Sequence, residues 1–288
     1  MRRLRFDVPL PTGGVLRLGQ RTLVMAIVNV TPDSFSDGGL RYSAEAAVAD
    51  ALRLVEQGAD ILDIGGESTR PGADPLPLEE EWRRVGPVIA ALRRETDIPL
   101  SIDTYKAETA RRALDSGAAM VNDISGFTAD PEMAHVVAAS GAAAVLMHHR
   151  GRSDDMYAQA RYDDVVGDVC RELLARASAA EAAGVGREKL ILDPGFGFAK
   201  RAEQSMQLLA GLPALGALGY PVLSGPSRKS FLQLAVGERP PLERVWATAA
   251  AVAASIWQGA HIVRVHDVAA MVDVVRVTDR CVEQSDTL

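Results

Sequence analysis

The sequence predicts an α/β fold, a (β/α)8 TIM barrel with an N-terminal β-hairpin. Eight short apolar runs alternate with segments of helical periodicity, which is the order of elements in such a barrel. The length of 288 residues suits one barrel of about 250 residues with an appendage. No linker or low-complexity stretch divides the chain, so residues 1–288 are expected to form a single domain, with the hairpin in residues 1–20.

The hairpin is predicted from alternating apolar residues on both sides of a turn. Leu4 to Val8 and Val15 to Leu18 flank the cluster Pro11-Thr-Gly-Gly14. Glycine in that cluster supplies a positive φ at little steric cost, as a tight hairpin turn requires. We therefore expect two antiparallel strands before the barrel begins.

The barrel strands are predicted from short apolar runs that lack helical spacing. They are Leu23 to Val28, Asp60 to Ile64, Leu100 to Ile102, Ala119 to Val121, Ala143 to Met147, Leu190 to Leu192, Pro221 to Leu223 and Ile262 to Val265. The segment after the first run lacks the G-x-G-x-x-G phosphate turn of an open, doubly wound sheet. The closed barrel is therefore favoured over the open sheet.

The segments between the strands are predicted to be helices. Ala44 to Gln57 is an example, with Ser43 as its candidate N-cap and Gly58 at its end. A further apolar helix, Val268 to Val282, follows the last strand. Each strand is thus followed by a helix, as the barrel requires.

Composition and charge exclude several classes of protein. The 31 basic and 38 acidic residues give a net charge of −7, so the chain lacks the basic footprint of a protein that binds DNA or RNA. Cys170 and Cys281 are too far apart in sequence for a disulfide scaffold or a Cys-x-x-Cys metal site. The apolar run Ala247 to Ile256 is too short to cross a bilayer, and no signal peptide is evident. We expect a cytoplasmic protein with neither a nucleic-acid nor a membrane partner.

Polar residues follow the predicted strands at their C-terminal ends. They are Asn29, Asp63, Asp103, Asn122 with Asp123, His148, Asp193, Arg228 with Lys229, and Arg264 with His266. In a TIM barrel these ends converge on the face that carries the active site. One such residue could simply cap the next helix, but polar groups at the ends of all eight strands predict a site.

The loops and charges around these ends indicate the kind of ligand. The loops Val30 to Tyr42 and Gly65 to Pro77 are longer than the usual βα loop of about 2–6 residues and predict a lid. Late in the chain, Arg228, Lys229, Arg264 and His266 suit a phosphate or diphosphate. Carboxylates and amides on the middle strands suit a heterocycle with hydrogen-bonding edges, because a carboxylate can accept two parallel N–H bonds.

Eight segments at these strand ends form motifs that can be matched to a family. They are Asn29-Val-Thr-Pro-Asp-Ser-Phe-Ser-Asp-Gly-Gly39, Asp63-Ile-Gly-Gly-Glu-Ser-Thr-Arg-Pro-Gly72, Ser101-Ile-Asp-Thr104, Val121-Asn-Asp-Ile-Ser-Gly126, Met147-His148, Asp193-Pro-Gly-Phe-Gly-Phe198, Ser227-Arg-Lys-Ser230 and Arg264-Val-His-Asp267. In this order, and over nearly the whole chain, the sequence resembles the dihydropteroate synthase family of folate biosynthesis.

The resemblance implies a reaction and a set of site residues. The family condenses 6-hydroxymethyl-7,8-dihydropterin diphosphate with 4-aminobenzoate and releases 7,8-dihydropteroate and diphosphate. It implies pterin contacts from Asp103, Asn122, Asp193 and Lys229. It implies diphosphate contacts from Arg264, His266 and Asn29, with Mg2+ as the cofactor and Asn29 as its ligand. It implies an aminobenzoate site formed by Phe35, Thr69, Arg70 and Pro71. It assigns catalytic roles to Asp103, Lys229, Arg264 and His266.

The remaining expectations concern neighbouring residues and assembly. Met147 is expected to be an apolar contact on the pocket floor. The family is usually homodimeric through late helices, and the apolar segments Arg244 to Gly259 and Val268 to Val282 offer such a surface. A homodimer is therefore expected.

Several polar residues are expected to support the site or to lie apart from the chemistry. Asp63 is left open between substrate contact and support of other side chains, and Asp123 is expected to cap or brace. His148 and His149 point to opposite sides of an extended chain, which argues against a shared metal. Ser227 does not lie in a G-x-S-x-G elbow, so a serine nucleophile is rejected.

Two other functions remain compatible with parts of this pattern. A pterin-binding methyltransferase barrel would keep the pterin-binding Asp and Asn residues, but it would not need the cationic cluster around Lys229 and Arg264. A non-catalytic pterin-binding paralogue would not need Asn29 or the Thr69-Arg70 pair. The synthase is therefore favoured over both.

Overall fold

The computed structural model describes residues 3–30, 40–68, 75–151 and 156–285. Its strands are β1 (Phe6–Pro9), β2 (Val15–Leu18), β3 (Leu23–Asn29), β4 (Ile61–Gly65), β5 (Leu100–Asp103), β6 (Met120–Asp123), β7 (Ala143–Met147), β8 (Leu190–Asp193), β9 (Leu223–Ser224) and β10 (Ile262–Val265). β1 and β2 pair antiparallel, and the other eight form one parallel sheet in the order β8-β7-β6-β5-β4-β3-β10-β9. A parallel bridge between Leu192 and Val222 joins its two ends, so the sheet is a nearly closed barrel.

Helices follow the barrel strands along the chain. They are α1 (Leu40–Glu56), α2 (Leu78–Glu95), α3 (Ala107–Asp115), α4 (Met133–Ser140), α5 (Val165–Ala182), α6 (Ala202–Ala210), α7 (Leu212–Gly216), α8 (Gln233–Val236), α9 (Val245–Trp257) and α10 (Val268–Ser285). The predicted (β/α)8 barrel with its N-terminal hairpin is confirmed. No helix in the described ranges is long and apolar enough to cross a membrane.

Several strands end later than their apolar runs predict. Asn29, Gly65 and Asp103 continue the ladder, with Asn29 paired to Gly65 and Gly65 to Asp103. The apolar pattern stops where side chains begin to face the site, but the backbone groups still pair with their neighbours. Site residues such as Asp103 and Asp193 therefore lie on the strands themselves, where their backbone is fixed.

One predicted helix boundary is wrong. The helix α1 begins at Leu40, so Ser43 lies inside it and is not its N-cap. The sequence pattern places the start at the first clear amphipathic turn, whereas the helix begins earlier.

The hairpin plugs the N-terminal end of the barrel. Val8, Leu16 and Leu18 are buried against the side chains that fill the lower barrel interior. Those interior residues are Leu23, Met25, Ile61, Ala119, Met120, Ala143, Val145, Ile191, Leu223 and Ile262. The N-terminal end is thus closed by apolar packing, which leaves the C-terminal end for polar chemistry.

We predict that Leu18→Ala destabilises the protein by about 2–5 kcal/mol, because Leu18 is 1% exposed and its loss leaves a cavity under the plug. Val15→Ala on the same strand is the control: Val15 is 48% exposed, and its truncation should cost less than about 1 kcal/mol. Denaturant unfolding followed by circular dichroism measures both changes. Equal losses for the two variants would contradict the packing of the hairpin described above.

Candidate active site

The C-terminal ends of the barrel strands bring together side chains that are far apart in sequence. Arg264 on β10 donates from Nε to Asp63 Oδ2 at 2.6 Å and from Nη2 to Asp103 Oδ2 at 2.6 Å. Asn122 on β6 donates from Nδ2 to the same Asp63 oxygen at 2.8 Å. These four residues form the guanidinium cluster, which links strands β4, β5, β6 and β10.

The cluster leaves two carboxylate oxygens without a hydrogen bond. Oδ1 of Asp63 and Oδ1 of Asp103 are buried and have no partner among the described residues. Burial raises the pKa of Asp103 to about 7, a rise that Arg264 opposes and the Asp63 carboxylate reinforces. Buried carboxylate oxygens of this kind are ready acceptors for a ligand with N–H groups.

Asp63 supports this arrangement. Its side chain is fully buried, and one of its oxygens accepts from both Asn122 and Arg264. Asp63 therefore orients two of the residues expected to bind substrate. This favours support of other side chains over direct substrate contact, the two roles that the sequence left open for Asp63.

A second group of residues lies after β8. Asp193 is 6% exposed, and its Oδ1 accepts from the backbone N–H of Gly195 at 2.7 Å. Gly195 has φ +67°, and a Cβ there would lie 2.2 Å from the His148 carbonyl oxygen, so only glycine fits this turn. Burial raises the pKa of Asp193, and the charge of Lys229 opposes that rise.

Lys229 reaches this turn from the other side. Its Nζ donates to the Phe196 carbonyl at 2.6 Å and lies 4.5 Å from the centre of the Phe198 ring. Burial lowers the pKa of Lys229 to about 8, while Asp193 opposes the shift. The predicted pterin residues Asp193 and Lys229 are thus neighbours through the 193–198 turn.

The Ser227 hydroxyl orients His266. Ser227 Oγ accepts from the His266 backbone N–H at 3.2 Å and lies 3.0 Å from His266 Nδ1. A hydroxyl can both donate and accept, so these two contacts hold the imidazole ring of His266 against Ser227 at its Nδ1 edge. A histidine held in this way can offer a ring N–H to an anion, as a diphosphate site requires.

Arg228 holds the backbone just before Lys229. It has φ +58°, and its backbone N–H donates to Thr248 Oγ1 at 3.0 Å. Its side chain forms an ion pair with Asp267, and Arg244 donates to its carbonyl at 2.7 Å. These contacts stabilise a left-handed conformation that is costly for a residue with a side chain. Arg228 is engaged with Asp267, and its predicted part in anion binding stays a prediction.

The remaining predicted site residues are Asn29, Met147 and four residues of the two long loops. Asn29 is exposed at the end of β3, and Met147 is 3% exposed at the end of β7. The Met147 side chain lies beside Gly195, where a Cβ would be 3.1 Å from its Cγ, in keeping with a pocket floor. Phe35, Thr69, Arg70 and Pro71 lie outside the described residues.

Two functional features were missed from the sequence alone. The local motif of Ser227 argues only against a nucleophile, whereas in the structure its hydroxyl contacts and orients His266. Lys200 follows the Asp193-to-Phe198 motif by two residues and is buried, with its Nζ 2.9 Å from His148 Nδ1. A lysine just beyond a glycine-rich motif is the only local signal, and it does not identify the partner.

Comparison with known proteins agrees with this geometry. The model of the family described as pterin binding enzyme matches residues 25–266. A dihydropteroate synthase from a Synechocystis strain is 51% identical over 275 residues, covering 95% of each chain.

Solved structures are similar over almost the whole length. A dihydropteroate synthase from Xanthomonas albilineans with 4-aminobenzoic acid has 49% identity and a TM-score of 0.89, over 98% of each chain. A structure of the enzyme from the same organism in complex with 7,8-dihydropteroate has 46% identity and a TM-score of 0.86, over 97% of this chain and 99% of the other. With the family match spanning the barrel and every described motif in place, the chain belongs to the pterin-binding enzyme family, among the dihydropteroate synthases.

Proposed function

We propose that this chain condenses 6-hydroxymethyl-7,8-dihydropterin diphosphate with 4-aminobenzoate to give 7,8-dihydropteroate and diphosphate. The observation that carries the proposal is the pairing, at one barrel mouth, of largely buried carboxylates with partly buried cationic side chains. Asp103 and Asp193 offer acceptors for a heterocycle, while Lys229, Arg264 and His266 offer donors for an anion. A substrate that joins a pterin to a diphosphate needs both kinds of group.

The pterin is assigned to the carboxylate side of the mouth. Asp193 keeps one oxygen for Gly195 and has a second oxygen with which to accept from the 2-amino and N3 edge. Lys229 is assigned to the ring carbonyl and N5, and Asn122 and Asp103 to the remaining polar edge. Since Asp103, Asn122 and Asp193 lie on strands, and Lys229 is held by the Phe196 carbonyl, these groups are preorganised for the ligand.

The diphosphate is assigned to Arg264, His266 and Asn29. Asn29 also fits as a ligand of Mg2+, because it is an exposed amide oxygen donor at the mouth and Mg2+ prefers oxygen ligands, chiefly waters and substrate phosphates. Bound there, Mg2+ would supply neutralisation of the charge on the leaving diphosphate.

The reaction requires stabilisation of charge by the protein and does not require a protein nucleophile. The C–O bond to diphosphate breaks and leaves a resonance-stabilised pterin cation. The neutral arylamine then forms the C–N bond, and its nitrogen releases one proton to give the product amine. Arg264 and His266 stabilise the departing charge, and the carboxylates Asp103 and Asp193 favour the cation. Asp103, Lys229, Arg264 and His266 are therefore proposed as the catalytic residues.

The aminobenzoate is assigned to Phe35, Thr69, Arg70 and Pro71. Support comes from the family pattern of the two long loops, whose residues include an Arg suited to a carboxylate.

A cytoplasmic location of the protein stays a prediction as well.

The reaction itself is tested with purified protein, Mg2+, the pterin diphosphate and 4-aminobenzoate. We expect dihydropteroate and diphosphate in equal amounts, loss of product when the metal is chelated, and suppression by a sulfonamide, which mimics aminobenzoate. Absence of product would instead favour a non-catalytic pterin-binding paralogue. Product that a sulfonamide does not suppress would contradict the second-loop assignment.

Arg264→Ala and Asp193→Ala are each predicted to lower turnover by about 10²–10³-fold, or about 3–4 kcal/mol of transition-state stabilisation, because each removes a preorganised charged group. Arg111→Ala is the matched control, since Arg111 is half exposed and pairs with Glu108 and Asp115 on helix α3. Steady-state kinetics gives the turnover, and circular dichroism checks the fold. Turnover like that of the unaltered protein in either site variant would remove that residue from the mechanism.

We also propose that two copies of the chain associate through α9 and α10. Trp246 and Trp257 are 78% and 51% exposed, and their separation along α9 places them on one helix face. Leu242 and Val277 are also exposed, and α10 packs beside α9. Large apolar side chains so exposed are typical of an interface.

Trp246→Glu is predicted to convert a dimer to a monomer, because it places a charge in the middle of the proposed apolar interface. Leu174→Glu on α5, at a residue 40% exposed, is the control and should leave the dimer intact. Size-exclusion chromatography with light scattering measures the mass. A monomeric unaltered protein, or a dimeric Trp246→Glu variant, would refute this surface.

A further inference from the structure

Lys200 is a buried lysine outside the groups assigned to the reaction, and burial lowers its pKa well below the usual value. Lys200 is 1% exposed and lies between the 193–198 turn and helix α6. Its Nζ lies within hydrogen-bond distance of four acceptors: His148 Nδ1 at 2.9 Å, and the carbonyls of His148 at 3.2 Å, Gly195 at 3.0 Å and Phe198 at 2.8 Å. An ammonium group carries three donors and no acceptor, so this cage uses every N–H.

The histidine in this cage is oriented by a third residue. His148 is fully buried, and its Nε2 lies 3.0 Å from Glu172 Oε2 on α5. Nε2–H therefore donates to the carboxylate, and Nδ1 accepts from Lys200. Burial lowers the pKa of His148 to about 3, which keeps the ring in this neutral, accepting form. Arg150 in turn pairs with Glu172.

Burial of a lysine side chain is energetically unfavourable compared with burial of an apolar side chain. Removing an ammonium from water costs several kcal/mol unless it is well paired, and an apolar side chain of similar size would pack without that cost. The cage therefore calls for a reason beyond stability. What the ammonium does in the structure is join the end of β7 to the 193–198 turn.

That turn contains Asp193 and contacts Lys229, the two groups assigned to the pterin edge. Gly195 is held by Lys200 through its carbonyl, and its N–H donates to Asp193 Oδ1. Phe196, the next residue, offers its carbonyl to Lys229. Phe198 is held by Lys200 through its carbonyl, and its ring lies under the Lys229 ammonium. The turn is thus held by Lys200 on one side and contacts Asp193 and Lys229 on the other.

We propose that Lys200 is a positioning residue, which clamps the 193–198 turn to the end of β7 so that Asp193 and Lys229 meet the pterin edge in the reactive geometry. The inference rests on the proposed function for the identity of the ligand. Lys200 acts through the 193–198 turn and does not contact the substrate. Its loss should therefore affect the pterin substrate selectively, because the aminobenzoate is assigned to other loops.

The test is Lys200→Met, which keeps the length of the side chain and removes its donors. We expect kcat/KM for the pterin diphosphate to fall about 10²-fold, the loss typical of a small misplacement of reacting groups. The KM for 4-aminobenzoate should change less than about twofold, since its site is untouched. A merely structural role would lower the amount of folded protein and leave this contrast between the substrates absent.

Lys189→Met is the matched control. Lys189 also donates from Nζ to a backbone carbonyl, that of Gly141 at 2.7 Å, but it precedes β8 at the opposite end of the barrel. We expect its kinetics to match those of the unaltered protein. Equal effects of the two lysine variants, or equal changes in both KM values for Lys200→Met, would overturn the proposal.

A second variant and a binding measurement cover the remaining outcomes. If Lys200→Met does not fold, Lys200→Gln is the alternative: its amide has two N–H donors in place of three and is one bond shorter, so it cannot reach all four acceptors. It should show the same selective fall in kcat/KM for the pterin diphosphate. Calorimetric titration with 6-hydroxymethylpterin separates this inference from the function: binding by the unaltered protein without any turnover would refute the synthase reaction alone. Equal affinity of the unaltered protein and Lys200→Gln for that pterin would refute the role of Lys200.

Discussion

The Arg264 guanidinium ties strand β10 to β4 and β5, and the chemistry of the barrel mouth depends on that junction. A carboxylate buried without a partner would bind a proton or lose stability, because its charge is poorly solvated. Arg264 donates to one oxygen each of Asp63 and Asp103, and the other two oxygens have no partner in the described part of the chain. The same contact thus stabilises two buried carboxylates and keeps acceptors ready for a ligand.

The two ends of the barrel have different roles: apolar packing at the N-terminal end stabilises the fold, and polar groups at the C-terminal end form the candidate site. At the N-terminal end, hairpin residues such as Leu18 and barrel residues such as Met120 are packed in one apolar cluster. At the C-terminal end, the ladder continues into Asp103 and Asp193, so two groups proposed to bind ligand are held by backbone pairing. The polar mouth tolerates its desolvation cost because packing elsewhere supplies the stability.

The placement of several predicted site residues at one end of the barrel could be predicted, because strand ends can be identified from the local sequence pattern. Asp103, Asn122, Asp193 and Arg264 each follow an apolar run, and parallel strands in a barrel must end on one face. Their partners could not be predicted in the same way. Arg264 and Asp63 are 201 residues apart, and no periodicity relates them. The local motif around Ser227 likewise does not indicate the partner of its hydroxyl, His266, which lies 39 residues away.

The sequence by itself determined the order of strands and helices, the hairpin, the face that carries the site and the family to which its motifs belong. These follow from periodicity, from glycine turns and from residue order, which are local properties of the chain. Only the tertiary structure decided that Asp63 supports Asn122 and Arg264, that Arg228 pairs with Asp267, and that Lys200 holds the turn beneath Lys229. Hydrogen bonds are short and directional, so their partners are chosen only when closure of the barrel brings distant residues within about 3 Å.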